Sequence, residues 1–313
     1  MTQNVERLFI VNRARGCKVM ENDFAEIHIF DVGFGESIYV RVTRSDTSKT
    51  SYLIDTGYAK NKDKFERLLK NKAILTIDNL ILTHKHSDHI SLAKYWIEHF
   101  ESIGLKNIFL DLRDLEYCSE TSKKLSESLL NLQGEKRLNV FDIRDDRAVD
   151  ALMDFKVLYP IKGSMRINDD ENRNSIVLLL CVGKYGVLLT GDVTIKEENI
   201  FLEELKKKQY KICVLKVGHH GSRGSTGEEL IRYIKDDIQY AFVSSDVNRR
   251  YNLPSKCFKQ RWKLLTKKNA SDLYYTEYNI DGSKQDLFFT VDKDRGCELV
   301  DPAIISFFGA NHR

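Results

Sequence analysis

The chain has 313 residues, 42% hydrophobic and 30% charged, with 49 Lys and Arg against 46 Asp and Glu. That length can bury a large core, and a net charge of +3 excludes a global polycation, so any nucleic-acid contact must come from a local patch. No stretch approaches the ~18 uncharged residues of a membrane span and Met1–Arg15 has no apolar leader-like run, so a cytoplasmic protein with no membrane contact is expected.

In chain order, Ala25–Val32 and Ser37–Val42 read as two strands joined by Gly33-Phe34-Gly35-Glu36, and Tyr52–Ile54 as a third that ends at Asp55-Thr56-Gly57. Asp63–Asn71 is a charged amphipathic helix, Asn79–Thr83 a buried strand, Ser91–Phe100 a helix and Ile108–Leu110 a further strand. The polar segment 111–150 predicts helices with exposed faces. Strands resume at Phe155–Tyr159, Ser175–Val182, Gly186–Thr190, Ile212–Val217 and Tyr240–Ser244, and Leu273–Asn279 with Asp286–Val291 flank the hairpin-like turn Asp281-Gly282-Ser283. Hairpins, a helix and more hairpins favour two packed sheets with helices outside, a four-layer α/β/β/α sandwich. The expected organisation is an N-terminal extension (1–24), one domain (25–295) and a C-terminal tail (296–313). The six cysteines are scattered without a C-x-x-C pair. Cys181 and Cys213 lie in apolar runs where a free thiol acts as a small hydrophobe, which suits a reducing compartment.

Chemistry concentrates after three of these strands. Thr83-His84-Lys85-His86-Ser87-Asp88-His89 sets three imidazoles and a carboxylate within six positions, directly after Leu80-Ile81-Leu82. In a tight loop that spacing can aim His84 and His86 at one ion and Asp88 with His89 at a second, and imidazole with carboxylate suits zinc, manganese or iron. Val187-Leu188-Leu189-Thr190-Gly191-Asp192 is an apolar strand ending on an aspartate able to bridge two cations. Val214–Val217 then runs into Gly218-His219-His220-Gly221, where at least one imidazole is expected to be a ligand and the other a proton donor or substrate contact. Ser222 and Ser225 with the amides of Gly221 and Gly224 resemble an anion-binding turn. Arg249, Arg250, Tyr251, Lys256, Lys259, Arg261, Trp262, Lys263, Lys267 and Lys268 form either a phosphate-neutralising, base-stacking patch or a helix with a solvated basic face.

Together these segments resemble the metallo-β-lactamase fold, whose defining motif matches His84-x-His86-x-Asp88-His89. More narrowly, the chain is similar to the hydrolase domain of the DNA-uptake protein ComEC. That resemblance is carried by Ile29–Ser37, Leu53–Gly57, Leu82–His84, Asn172–Leu180, Leu189–Asp192, Leu215–Ser222 and the turn Thr276–Gly282, within about residues 25–295. It implies His84 and His86 on a first metal, Asp88 and His89 on a second, Asp192 bridging and His219 as the terminal ligand. His220 is then a proton donor, although the two histidines are exchangeable in this reading. Asn172-Arg173-Asn174-Ser175 stands where many members of the wider fold carry another histidine, which makes manganese as suitable as zinc and sets Asn174 and Ser175 with Ser222 and Ser225 on the substrate side. Phe34 and Glu36 depart from the group's Gln and Asp, and Leu253 stands where the group shows a His before Pro254. The metal residues are intact and the substrate side is altered.

The function this implies is hydrolysis of a phosphodiester, DNA or RNA first, by a water that two divalent ions deprotonate near neutral pH, with Asp88 orienting it and His220 protonating the leaving group. A small-molecule phosphodiesterase, for a cyclic nucleotide or a phosphocholine-like ester, is the competing enzyme. A partner-dependent or inactive binding member is the competing non-enzyme. A nuclease held in the cytoplasm threatens its own genome, so a protein partner or activator is expected.

Overall fold

Alternation explains the first sheet. Strand β1 (Asn22–Ile29) turns Ala25, Ile27 and Ile29 to one face, and β2 (Ile38–Arg44) turns Ile38, Val40 and Val42 to the same face, where all six are fully buried. The computed structural model describes residues 22–33, 35–63, 66, 76–115, 120–134, 138–161, 170–244, 252–268, 273–276 and 286–300. After β2 come β3 (Lys49–Ile54), β4 (Asn79–Ile81), β5 (Asn107–Leu110) and β6 (Asn139–Asp142). A second sheet holds β7 (Phe155–Tyr159), β8 (Val177–Val182), β9 (Tyr185–Leu189), β10 (Lys211–Lys216), β11 (Tyr240–Val243) and β12 (Tyr274–Tyr275). The chain returns to the first sheet with β13 (Leu287–Asp292) and β14 (Gly296–Leu299). Among the described residues the orders are β14-β13-β1-β2-β3-β4-β5-β6 and β12-β11-β10-β9-β8-β7.

Three apolar clusters define the four layers. One lies between the sheets, from Ile27, Val40 and Ile54 on one side to Leu178, Val187 and Val214 on the other. A second joins the outer face of the large sheet (Leu53, Leu80, Ile108) to helices α1 (Ser87–Ile90), α2 (Ala93–Glu98), α3 (Phe100–Ile103) and α4 (Glu120–Gly134). Beyond β6, α5 (Asp146–Ala151) adds Ala148 to the inter-sheet cluster. The third joins the outer face of the small sheet to α6 (Ile195–Lys208), α7 (Glu228–Ile234) and α8 (Lys256–Thr266). Strand β8 is buried on both faces, which is why Val177–Val182 is a continuous apolar run. Among the described residues no helix is long and apolar enough to cross a membrane.

The sandwich expected from the pattern is therefore the one observed, with local corrections. The expected hairpin of Leu273–Asn279 and Asp286–Val291 does not form, because β12 pairs with β11 in the small sheet and β13 with β1 in the large one. Segment 111–150 holds β6 as well as helices, and the helix expected over Ser91–Phe100 begins at Ser87 as three short pieces. Most of the Asp63–Asn71 helix lies outside the described residues, as do Phe34, Arg249, Arg250, Tyr251 and the turn at 281–283. Cys213 is not a free thiol. It is bonded to Cys297, linking β10 to β14 across the two sheets, so the cysteine pattern no longer speaks for a reducing compartment. Cys181 is free and buried, and burial pushes its thiol up to about 11.

Helix ends near the site are tied by side chains. Thr194 and Glu197 form a capping box on α6, and the Ser255 hydroxyl accepts the Phe258 N–H at the start of α8. Glu198 reaches from α6 to accept N–H bonds from Thr226 (2.5 Å) and Gly227 (2.7 Å) ahead of α7. Burial pushes this carboxyl up to about 7, against the pull of those amides. A folded-state value above the ordinary 4.5 contributes stability that is complete below about pH 4.5 and is lost as pH rises through 7, on the order of 3 kcal/mol. Urea unfolding at pH 5 and pH 8 should show that loss in the wild type and a smaller one in Glu198→Gln. An unchanged pH slope in the variant would count against this source.

Candidate metal centre

Every functional loop leaves the carboxyl end of a parallel strand. Ile54 of β3 is in register with Ile81 of β4, which aligns Asp55 with the start of the histidine loop. Leu189 of β9 and Phe242 of β11 flank Lys216 of β10, which brings Asp192, the His219-His220 turn and Ser244 to one edge. The Ile176 N–H donates to the Thr83 carbonyl at 2.9 Å and joins the two sheets beside these loops. Crevices at such strand ends are where α/β folds bind ligands.

Four residues converge there. Asp88, His89, Asp192 and His220 each offer one ligand atom, all within 4.8 Å of one another. Asp192 Oδ2 lies 3.4 Å from His89 Nε2 and 3.4 Å from His220 Nε2, and Asp88 Oδ2 lies 3.7 Å and 3.5 Å from the same nitrogens. The rings are aimed by their other nitrogens. His89 Nδ1 donates to Asp55 Oδ2 at 2.6 Å, and His220 Nδ1 donates to the Ser244 carbonyl. This fixes the tautomers and turns each Nε2 lone pair into the cluster, as metal-ligating histidines require. His89 Nε2 is buried and makes no hydrogen bond. An orphaned imidazole nitrogen facing two carboxylates, in an N2O2 donor set, fits a divalent cation.

Charge agrees with this fit. Burial would raise the Asp192 carboxyl, but Lys216, His220 and His89 hold it well below the usual carboxylate range. Burial would lower His89, but Asp192, Asp55 and Asp88 hold it well above its ordinary value. The pocket favours ionised carboxylates with positive charge between them.

The sequence-predicted residues fare unequally. Asp88, His89 and Asp192 come together as expected. His84 is buried and His86 half-buried, with His84 Nε2 3.0 Å from His86 Nδ1 and the His84 ring 4.2 Å from that of His89. They neighbour the four-donor group without belonging to it. The two later histidines exchange roles: His220 is fully buried and joins the donors, whereas His219 is part-exposed at the mouth, its Nε2 4.0 Å from Asp192 Oδ2. The reason is the backbone. Both residues adopt left-handed conformations, His219 at φ 45° and His220 at φ 50°, at a cost of roughly 1–2 kcal/mol each. That turn throws the second imidazole inward.

Ser175 and Ser225 are fully buried rather than open to substrate. Ser175 Oγ accepts the Asp192 N–H at 3.1 Å, and Ser225 Oγ donates to the Val193 carbonyl at 2.9 Å, so both shape the Asp192 turn. Asn174 is buried, its amide 3.5 Å from Glu171 Oε2, and Ser222 is half-buried, its Oγ accepting the Gly224 N–H at 3.4 Å. Trp262 is 1% exposed and packs in the third core, so it cannot stack a base.

Sequence reasoning missed Asp55, Glu36 and Lys216. Asp55 accepts from Thr83 N, Thr83 Oγ1 and His89 Nδ1, holding both ends of the histidine loop. Its signal was present, since it follows an apolar strand just as Asp192 does. The signal for Lys216 was a single charge inside an otherwise apolar strand, because a buried lysine requires partners.

Comparison with known proteins bears on this geometry. The family model described as the Metallo-beta-lactamase superfamily matches residues 31–106, which contain the first sheet's leading strands and the histidine loop. The long form RNase Z from yeast superposes with a TM-score of 0.50 at 12% identity, over 88% of this chain and 42% of that one. The chain has the metallo-β-lactamase fold. Within this fold, ComE operon protein 3 of Bacillus subtilis (strain 168) is 29% identical over 248 residues, 73% of this chain and 29% of that protein. Competence protein ComA of Neisseria gonorrhoeae is 27% identical over 245 residues, 78% of this chain and 30% of that protein. These matches bear out the ComEC-like resemblance, and the chain spans less than a third of either relative's length.

Proposed function

We propose that this metallo-β-lactamase-fold chain is a metal-dependent phosphodiesterase whose substrate is nucleic acid. The four-donor group carries the reading. Asp88, His89, Asp192 and His220 would hold one divalent ion, and His84 with His86, beside them, would serve a second, zinc or manganese in either case. When bound, such ions stabilise charge on the attacked phosphoryl oxygen and acidify water. Asp88, half-buried, orients the attacking water. His219, at the mouth, takes the proton-donor role assigned to His220 on sequence, and its Nε2 delivers a proton to the leaving oxygen.

Nucleic acid is favoured by α8. Lys256, Lys259, Lys263 and Lys267 recur at i, i+3, i+7 and i+11 along one side, and residues 252–268 contain no acidic side chain. Like charges four apart weaken a helix by a few tenths of a kcal/mol, so the stripe does not serve the helix. The helix is also fastened to the centre. The Ser255 N–H donates to the Gly221 carbonyl, adjacent to His220, and Arg261 donates to the carbonyls of Arg223, Ser225 and Thr226. The names of the two competence relatives and of the yeast RNase agree with a polymeric phosphodiester substrate.

Metal-stripped protein re-supplied with Mn²⁺ or Zn²⁺ should cleave single- or double-stranded DNA or RNA, and Asp88→Ala should not. Replacing Lys259 and Lys263 with Gln should lower the salt dependence of binding by about 0.7–0.9 per lysine in log–log slope. Turnover of a chromogenic phosphodiester without polymer cleavage would move the reading to a small-molecule phosphodiesterase. Metal binding without turnover would point to a missing activator or a binding role.

A further inference from the structure

Lys216 is the last residue of β10 and is completely buried. An ammonium so placed costs several kcal/mol in desolvation unless its three protons find acceptors. They do: Lys216 Nζ lies 2.5 Å from Glu36 Oε2, 3.0 Å from Asp192 Oδ1 and 2.7 Å from the Gly191 carbonyl. Two of these contacts fix the Gly191–Asp192 turn. With Oδ1 committed to the ammonium, Asp192 presents Oδ2 to His89 and His220.

The third contact reaches the other sheet. Glu36 closes the β1–β2 loop, and its own N–H donates to the Asp88 carbonyl at 3.1 Å. Gly35 permits that approach, since a Cβ there would stand 2.6 Å from the Asp88 carbonyl oxygen and its φ is 156°. Asp88, Glu36, Lys216 and Asp192 thus form one continuous series of contacts from the large sheet to the small one. An apolar pair of similar volume would be as stabilising or more so, so stability alone does not require an ion pair here.

We propose that the Glu36–Lys216 pair is a positioning device that sets Asp88 and Asp192 relative to one another and so determines how tightly the centre holds its ion. This rests on the reading of the site as a metal centre. Glutamate at 36, where the ComEC-like group has aspartate, supplies the reach for the contact.

The experiment compares wild type, Lys216→Met, Glu36→Gln and the double variant, reading Co²⁺ affinity by chelator competition, the Co²⁺ ligand-field spectrum and urea stability of the metal-free protein. Each single variant should bind Co²⁺ roughly 10–100-fold more weakly, with shifted bands. The double variant leaves neither partner as an unpaired buried charge. It should recover much of the stability while keeping the weakened affinity and altered spectrum. Wild-type affinity and spectrum in the double variant would overturn the proposal and leave the pair a structural one. Failure of the wild type itself to bind Co²⁺ would overturn the metal centre, and the role of the pair with it.

Discussion

His220→Ala protein is expected to lose metal binding and polymer hydrolysis together, whereas His219→Ala keeps its metal and loses rate. The two residues are neighbours with the same side chain, so the contrast isolates position from chemistry. His220 is buried, its Nδ1 is committed to the Ser244 carbonyl, and its Nε2 lies 3.4 Å and 3.5 Å from two carboxylates. Its removal deletes one of four donors and leaves Asp88 and Asp192 facing each other with less positive charge between them. Loss of an outer partner of a ligand costs roughly 10–100-fold in affinity, and loss of the ligand itself should exceed that range. His219 touches the group only at 4.0 Å and faces the mouth. Its alanine variant should stay within about tenfold of wild type in affinity, below that range. Its turnover should fall by the roughly 10²–10⁴ of a missing proton donor. Chelator competition and single-turnover cleavage separate the two effects. Equal metal loss in both variants would return His219 to the ligand set.

The one-residue difference shows where sequence legibility ends. That the centre sits at strand ends was readable, because Leu80–Leu82, Val187–Leu189 and Val214–Val217 each run apolar into polar, glycine-containing turns. Which of two adjacent histidines points inward depends on φ angles near +45° to +50°, which non-glycine residues adopt only when their surroundings enforce it. The same limit hid β12 and β13. Alternation and a turn signal describe a hairpin and a crossover between sheets equally well, and only inter-sheet packing separates them. Strands β6 and β14, four residues each, are too short and too polar for period-2 reading. The Cys213–Cys297 bond spans 84 positions, beyond any local pattern. Trp262 and the stripe of lysines share α8, so a list of basic and aromatic residues merged a core anchor with a solvated face. Helical phase separates them.

At the end of the sandwich away from the metal loops, Asp154→Ala should produce a large stability loss with the centre untouched. Arg44 ends β2, which runs antiparallel to β3, so it lies at the opposite end of the sheet from Asp55. Its Nε and Nη2 donate to Asp154 Oδ1 and Oδ2 at 3.1 and 2.5 Å, its Nη2 also to Thr50 Oγ1 at 2.9 Å, and the Tyr52 hydroxyl donates to Asp154 Oδ2 at 2.7 Å. Asp154 is fully buried just ahead of β7, so this bidentate pair ties the two sheets together. Removing the carboxylate strands a guanidinium and a phenol in the interior, and breaking a buried pair from one side costs about 3–5 kcal/mol. The Arg44→Met and Asp154→Leu double variant removes both charges and should cost much less, because apolar replacement of a buried pair is often neutral. Urea midpoints give the comparison, with Co²⁺ affinity per folded molecule unchanged in both variants. If the double variant were as damaged as the single, packing around Tyr52 and Phe155, whose rings meet edge-on at 4.9 Å, would be the dominant tie instead. A shift in Co²⁺ affinity would mean that the sheets transmit strain along their length to the metal loops, and that Arg44 and Glu36 act on one coupled sandwich.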